Sequence, residues 1–269
     1  MLVVGENINA TNKSVGEAIT RKDRAFLEEL AIVQAAAGAD YIDVNVGTGR
    51  DSGEQEIADM EWLVEVVQAA TDRPIAIDSD NPRVIEAGLR RYRGQRPIIN
   101  SVNAEAERLN ALGRLAVEHD SMLVALAMGS DGIPSSIEER LDACDRIVEG
   151  LSASGVALER ILFDPLVLPI SVDSGQAMIT LRTIEEIKSR YPEASTILGL
   201  SNISYGLPGR RVVNRSFLLM AAYAGLSAVI MNPLDTKMMG FVKVAEMLTG
   251  NDPYCRGYLK TYRKGIILD

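Results

Sequence analysis

Five apolar runs of this sequence break off in an acid or an amide: YIDVNVG (41–47), IAIDSDNP (75–82), PIINSVNAE (97–105), LFDPLVLP (162–169) and LGLSNIS (198–204). Together with their neighbours, seven such segments supply Glu6, Asn7, Asn9, Asp43, Asn45, Asp78, Asn100, Asn103, Asp164, Asn202 and Asn232. A carboxylate can accept two N–H groups as a fork, and an amide can both donate and accept. Such a set suits a neutral heterocycle rich in hydrogen bonds, for example the amino-pyrimidinone edge of a pterin ring. Several carboxylates could instead hold magnesium, although the many amides make a metal the less attractive ligand. A plainer reading is that these Asp and Asn residues open loops and cap helices. Asp78, Asn100, Asp164 and Asn202 resist it best, because they sit late in apolar runs rather than in polar clusters.

The residues that are scarce narrow the chemistry further. His119, in AVEHD, is the only histidine and ends a helical pattern. That excludes Ser-His-Asp and Cys-His catalysis and leaves no His/Cys zinc set. Cys144 and Cys255 show no metal or redox spacing, and Cys144 falls on an amphipathic run as a core residue. No strand carries an obvious Schiff-base lysine; Lys237, after NPLDT, is the nearest candidate. A formal net charge of -9 argues against a nucleic-acid backbone as partner. Hydrophobic residues make up 47% and charged residues 24%, the balance of a soluble globular protein. No apolar run approaches the roughly 20 residues of a membrane span. The N-terminus enters an apolar strand directly, so the expected location is the cytoplasm.

The elements that must position these residues alternate along the chain. Eight β-rich runs (LVVGENI, YIDVNV, PIAIDS, PIINSV, LVALAM, ILFDPL, TILGLS and AVIMNP) are apolar enough for strands buried on both faces. Helical patterns separate them: RAFLEELAIVQAAAGA ending near Gly38, NPRVIEAGLRRY opening on Asn81 and Pro82, EAERLNALGRLAVEH, IEERLDACDRIVEGLSASG, MITLRTIEEIKSRY, NRSFLLMAAYAGL stopping at Gly225, and VKVAEMLTG. Eight β-then-α units predict one domain over 1–269, a (β/α)8 TIM barrel. A doubly wound sheet also alternates, but no GxGxxG or GxxxxGK stretch follows a strand. In a TIM barrel the strand ends would converge on one mouth.

At these residues the sequence resembles the pterin-binding methyltransferases, which exchange a methyl group between tetrahydrofolate and a corrinoid protein. The folate domain of cobalamin-dependent methionine synthase and dihydropteroate synthase are relatives. The resemblance runs from VGENIN to PYC through DVNVG, MEWLVEVVQ, IDSDNPRVIEAGL, INSVNAE, LAVEH, GIP, DPLVLP, LGLSNIS and NRSFLLMA. It implies a barrel, usually homodimeric, in which Asp78, Asn100 and Asp164 bind the pterin. Asn202 would match the family's mobile asparagine near N5, as the catalytic residue. Glu6 and Asp43 complete the expected substrate-binding set. Tetrahydrofolate or methyltetrahydrofolate would be the substrate, cobalamin would arrive on a partner corrinoid protein, and no metal would be needed. Dihydropteroate synthase carries a basic residue after the serine of its corresponding strand, whereas here Ser201 is followed by Asn202. Gly129 stands where some relatives have asparagine, which bears on the direction of transfer.

N5 of methyltetrahydrofolate is a poor leaving group unless protonated or strongly hydrogen-bonded. The sequence shows no general acid of suitable pKa beside Asn202, so a network of Asn202 and ordered water is the expected means. The loop ISYGLPGRR reads as flexible and basic, with Arg210 or Arg211 placed to meet the partner or the folate tail. Two other readings are a dihydropteroate-synthase-like condensing enzyme, which would need diphosphate-binding basic residues at the mouth, and a folate-binding protein without catalysis.

Overall fold

The computed structural model describes residues 1–47 and 53–267. Its eight strands are β1 (Leu2–Asn9), β2 (Tyr41–Asn45), β3 (Ile75–Asp78), β4 (Ile98–Val102), β5 (Met122–Leu126), β6 (Ile161–Asp164), β7 (Ser195–Gly199) and β8 (Ala228–Met231). All pair in parallel, and β8 closes onto β1. The chain therefore forms the closed TIM barrel that the alternation predicts.

The helices are α1 (Lys13–Thr20), α2 (Arg24–Ala37), α3 (Gly53–Ala70), α4 (Pro82–Arg91), α5 (Ala106–Glu118), α6 (Ile137–Ala153), α7 (Gln176–Arg190), α8 (Arg210–Ala224), α9 (Thr236–Leu248) and α10 (Arg256–Arg263). Their ends follow local chemistry. Gly38 and Gly225 close α2 and α8 at φ 104° and 112°, where a side chain would be strained. Asn81 caps α4 by accepting from the Arg83 N–H at 3.0 Å, with Pro82 in the first turn. Ser136 and Glu139 form a capping box on α6. Three helices, α1, α3 and α10, lie outside the helical patterns read from the sequence. Of these, α1 and α10 have only eight residues each, and α10 buries none, whereas α3 has 18 residues. A further difference is that Arg210 and Arg211 are the first turn of α8, not part of a flexible loop.

Period-two alternation decides what faces the barrel axis. Val4, Ala76, Ile98, Val124, Leu162, Ile197 and Ala228 fill the interior as one apolar cluster. The residues between them, such as Ile42, Ile77, Ile99, Leu123 and Phe163, pack outward against the helices. Two residues beyond the interior layer lie Asp78 after Ala76, Asn100 after Ile98 and Asp164 after Leu162, so the same face that carries the core ends in acids and amides. Cys144 is buried in the helical layer, as its amphipathic run predicts. His119 is the C-terminal cap of α5, at the opposite end of the barrel from these acids and amides.

Phe163 has no exposed surface and stacks on Tyr191, ring centroids 5.4 Å apart. Replacing it with alanine should cost about 3–5 kcal/mol in a denaturant unfolding experiment. A loss under about 1 kcal/mol would mean the outer layer is packed far more loosely than the full burial of Phe163 implies.

Candidate functional site

The site is built on a row of neighbouring residues. Asn45 pairs with Asp78 across β2 and β3, and Asp78 pairs with Asn100 across β3 and β4. Residues in register on adjacent parallel strands point the same way, here into the mouth. Asn45 Nδ2 donates to Asp78 Oδ2 at 2.8 Å, while Asn45 Oδ1 accepts from the Gly47 N–H at 2.8 Å. One layer deeper, Asn100 Nδ2 donates to Asp43 Oδ1 at 3.2 Å. Each acid is thus held by one amide, with its other oxygen left for a ligand.

Two bulges shape the rim. The β1–β2 register shifts between Gly5 and Ile8, and the β4–β5 register shifts between Asn100 and Val102, where the Asn100–Ser101 peptide is cis. Bulges re-aim side chains at barrel rims. The β1 bulge rests on Gln34, fully buried in α2, whose Oε1 accepts from the Asn7 N–H at 3.0 Å. A Cβ on Gly5 would lie 2.6 Å from that oxygen, so the close approach requires glycine. The β4 bulge rests on Arg108, which donates to Ser101 O from Nε at 2.9 Å and from Nη2 at 2.6 Å, to Ser79 O at 3.0 Å, and to Asp80 O. One guanidinium therefore ties the segment after Asp78 to the segment after Asn100.

Electrostatics set the acids apart from surface carboxylates. Burial raises Asp43 well above the usual range, and the nearby charges of Asp78 and Glu6 push it further, against the Asn100 hydrogen bond. Burial also raises Asp78, offset by the Asn45 amide and the Arg108 charge. Glu6 is pushed up to about 7 by burial, with Arg210 pulling the other way. Asp164 is raised to about 6 by burial, opposed by the Leu166 N–H and Arg140. Glu6 and Asp164, so placed, can hold or release a proton near neutral pH.

Asn202 lies across the mouth in a short 3-10 turn, Leu200–Ser204, after β7. It is exposed, and its side chain has no hydrogen-bond partner among the described residues. Arg210 does not reach outward; it folds back on this turn, donating to Ser201 O at 2.8 Å and Ser204 Oγ at 3.0 Å. Beside the turn a cleft of about 420 Å³ is lined by Glu6, Ser201, Arg211, Asn214, Arg215, Asn232 and Lys237, among others. Arg215 is paired with Asp235 at 2.9 Å. Glu6 thus shares a wall with the Asn202 turn, and its proton affinity suits an acid–base group. The sequence reading saw no such acid, because no sequence pattern reports desolvation.

Other strand-end residues do local work. Asn9 accepts from the Thr11 N–H at 3.0 Å and Asn103 from the Glu105 N–H at 3.2 Å, so both shape loops, as the plainer reading has it. Asn232 accepts from the Leu234 N–H at 2.9 Å while also lining the cleft. Gly129 lies in the segment between β5 and α6, where an added Cβ would meet Arg146 Nη2 at 3.4 Å. Among the described residues no group of three or more His, Cys, Asp and Glu side chains is arranged to hold a metal.

Fold and site define a TIM barrel whose mouth is lined by desolvated acids held by amides. Residues 5–232 match the family of pterin binding enzymes, and the chain belongs to that family. It is 34% identical over 269 residues to a methylcorrinoid:tetrahydrofolate methyltransferase of Eubacterium limosum, covering 99% of this chain and 98% of the relative. A methionine synthase of Mycobacterium tuberculosis is 32% identical over 246 residues, which cover 86% of this chain and 20% of that protein. Among solved structures, a dihydropteroate synthase of Coxiella burnetii superposes with a TM-score of 0.69 at 14% identity, covering 92% of this chain and 93% of the other. One of Yersinia pestis does so with a TM-score of 0.67 at 17% identity, covering 93% and 94%. These two likenesses establish the fold.

The raised Glu6 makes a stability prediction. A carboxyl that is protonated more readily in the folded than in the unfolded chain favours folding at low pH and loses that contribution as pH rises. The loss should run from about the unfolded value near 4.5 to the folded value of about 7. Glu6→Gln should therefore be more stable than wild type at pH 8, by up to about 3 kcal/mol, with the difference vanishing near pH 4. Thermal melts at the two pH values check this, and equal stability at pH 8 would refute it.

Proposed function

We propose that this chain transfers a methyl group between N5 of tetrahydrofolate and the cobalt of a corrinoid carried by a separate protein. Its similarity to a tetrahydrofolate/methylcorrinoid enzyme extends over nearly the full length of both chains. The observation that carries the reading is the Asn45–Asp78–Asn100 row facing an unpartnered Asn202, on that full-length background. In this assignment Asp78 accepts two N–H groups of the pterin edge. Asn100, Asp43 and Asp164 take the remaining ring donors and acceptors, and Asn202 reaches N5.

The chemistry follows from charge. When N5 attacks the methyl group, the cobalt–carbon bond breaks with its electron pair left on cobalt, and N5 becomes a cationic amine that must lose a proton. In the opposite direction the same nitrogen must first gain one. Glu6, poised near neutrality on the wall of the cleft, is the proposed proton carrier in both directions, with Asn202 stabilising the N5–H. The name of the full-length relative runs from methylcorrinoid to tetrahydrofolate, and we assign that direction here. Arg211, Arg215 and Lys237 line the cleft and suit the acidic tail of the folate. The same cations could serve a diphosphate, as a condensing enzyme would require, and this second reading is kept for that reason alone.

We also assign a homodimer and a cytoplasmic setting. Met178, Leu181, Leu219, Met220 and Tyr223 form an apolar groove on α7 and α8, with Tyr223 84% exposed. Beside it Arg182 and Glu185 have no partner among the described residues. A two-fold axis would set each against its opposite on the second copy. Both cysteines are free thiols, which suits a reducing compartment.

Methyl exchange, folate binding and solution mass test these assignments. Cobalamin absorbance should report methyl exchange both with methylcobalamin plus tetrahydrofolate and with cob(I)alamin plus methyltetrahydrofolate. Asp78→Ala should weaken folate binding by about 100-fold. Asn202→Ala should lower kcat by about 10- to 1000-fold with little change in binding. Wild-type protein that turns over neither pair, yet condenses a hydroxymethylpterin diphosphate with p-aminobenzoate, would transfer the assignment to the second reading. Separately, Met220→Lys with Tyr223→Lys should halve the solution mass seen by sedimentation, and an unchanged mass would place any dimer contact elsewhere.

A further inference from the structure

The segment after β6 rests on a cation that the proposed chemistry does not use. Arg140, in the first turns of α6, has no exposed surface. Its guanidinium donates only to neutral acceptors: Pro165 O at 2.7 Å, Leu166 O at 2.9 Å, Gln176 Oε1 at 3.3 Å and Pro134 O at 3.3 Å. A buried cation normally has a carboxylate in contact. Here the acid it acts on is Asp164, and the two do not touch.

A single peptide group joins them. The carbonyl of the Pro165–Leu166 peptide accepts from Arg140, and the N–H of that same peptide donates to Asp164 Oδ1 at 2.8 Å. The guanidinium thus polarises an amide whose other end grips the carboxylate, and each bond strengthens the next. The backbone is bent to make this fit. Leu166 stands at φ 66°, a left-handed conformation that a leucine seldom adopts. Its carbonyl is secured a second time by Thr180 Oγ1 at 3.1 Å. A strained residue held by a buried charge, directly behind a site acid, is arranged for that acid.

We propose that Arg140 is a positioning residue for Asp164, acting through the Pro165–Leu166 peptide to keep the carboxylate oriented and charged toward the ring. This rests on the assignment of Asp164 to the pterin. Arg140 is the charge that acts on Asp164, and Asp164 is the charge that acts on Arg140. Leu166 supplies the remaining polar contact to the carboxylate. Neither Gln176 nor Thr180 carries a charge that could substitute.

The test measures tetrahydrofolate binding by calorimetry from about pH 5 to 9 for wild type, Arg140→Met, Arg140→Lys, Asp164→Asn and the Arg140→Met/Asp164→Asn pair. Near pH 7, Arg140→Met should bind about tenfold more weakly, with the loss shrinking as pH rises. Arg140→Lys, which keeps the charge, should return the acid limb toward wild type. On the Asp164→Asn background Arg140→Met should cost nothing more. A loss that is equal at every pH, or undiminished in the double variant, would reduce Arg140 to a packing residue and overturn the proposal. Should Arg140→Met not fold, NMR on the wild type decides. The Leu166 amide and Arg140 guanidinium protons must shift with one midpoint near pH 6, and both shifts must vanish in Asp164→Asn. Separate midpoints would sink the relay. Wild-type protein that binds no tetrahydrofolate would defeat the folate assignment, leaving that titration to judge the relay by itself.

Discussion

The constraint on which the rest depends is the desolvation of carboxylates at the top of a closed barrel. The barrel's interior must be apolar to be stable, yet its last layer carries Asp43, Asp78 and Asp164 and, on the bulged strand, Glu6. Removing an ion from water is costly, and every one of these acids responds with a raised proton affinity. The arrangement persists because each acid or its loop is held by a donor that gains little from solvent. Asn45 holds Asp78, Asn100 holds Asp43, and the Leu166 N–H holds Asp164. What remains unsatisfied faces the mouth, where a ring with N–H and carbonyl groups can complete it.

The supports share one chemical device. Arg108 bridges Ser79, Asp80 and Ser101, Arg140 grips Pro165 and Leu166, and Arg210 closes the turn that carries Asn202. In each case a planar guanidinium serves backbone carbonyls of a loop rather than pairing directly with an acid. The five donors of an arginine can fix several carbonyls at once, so loops that would otherwise be mobile present their side chains from a fixed frame. Gln34 does the same for the β1 bulge with a neutral amide. Positioning residues of this kind carry the geometry that a short loop cannot hold alone.

Much of this was legible in the residues themselves. The eight strands fall where the apolar β-rich runs predict them, since strands buried on both faces read as short continuous apolar runs. The helix ends at Gly38, Asn81 and Gly225 follow from local capping chemistry that tertiary contacts seldom override. The short helices α1 and α10 do not stand out, because eight residues give too few repeats of a helical period; α3, with 18 residues, is absent from the sequence reading too, and length does not explain it. Arg210 and Arg211 read as loop in the sequence because the preceding Gly206, Pro208 and Gly209 mark a turn, while the helix they open is fixed by packing of α8 on the barrel.

Sequence by itself determined the class of fold, the strand ends at which the chemistry would gather, and the acid-and-amide composition of the mouth. Those are properties of period, polarity and residue type, which lie along the chain. The tertiary structure alone decided which residues meet: that Asn45 rather than Asn9 or Asn103 serves Asp78, that Glu6 titrates near neutrality, and that Arg140 reaches Asp164 through one peptide. These depend on distances across the barrel and on the exclusion of water. Neither quantity exists until strands remote in sequence close into a ring.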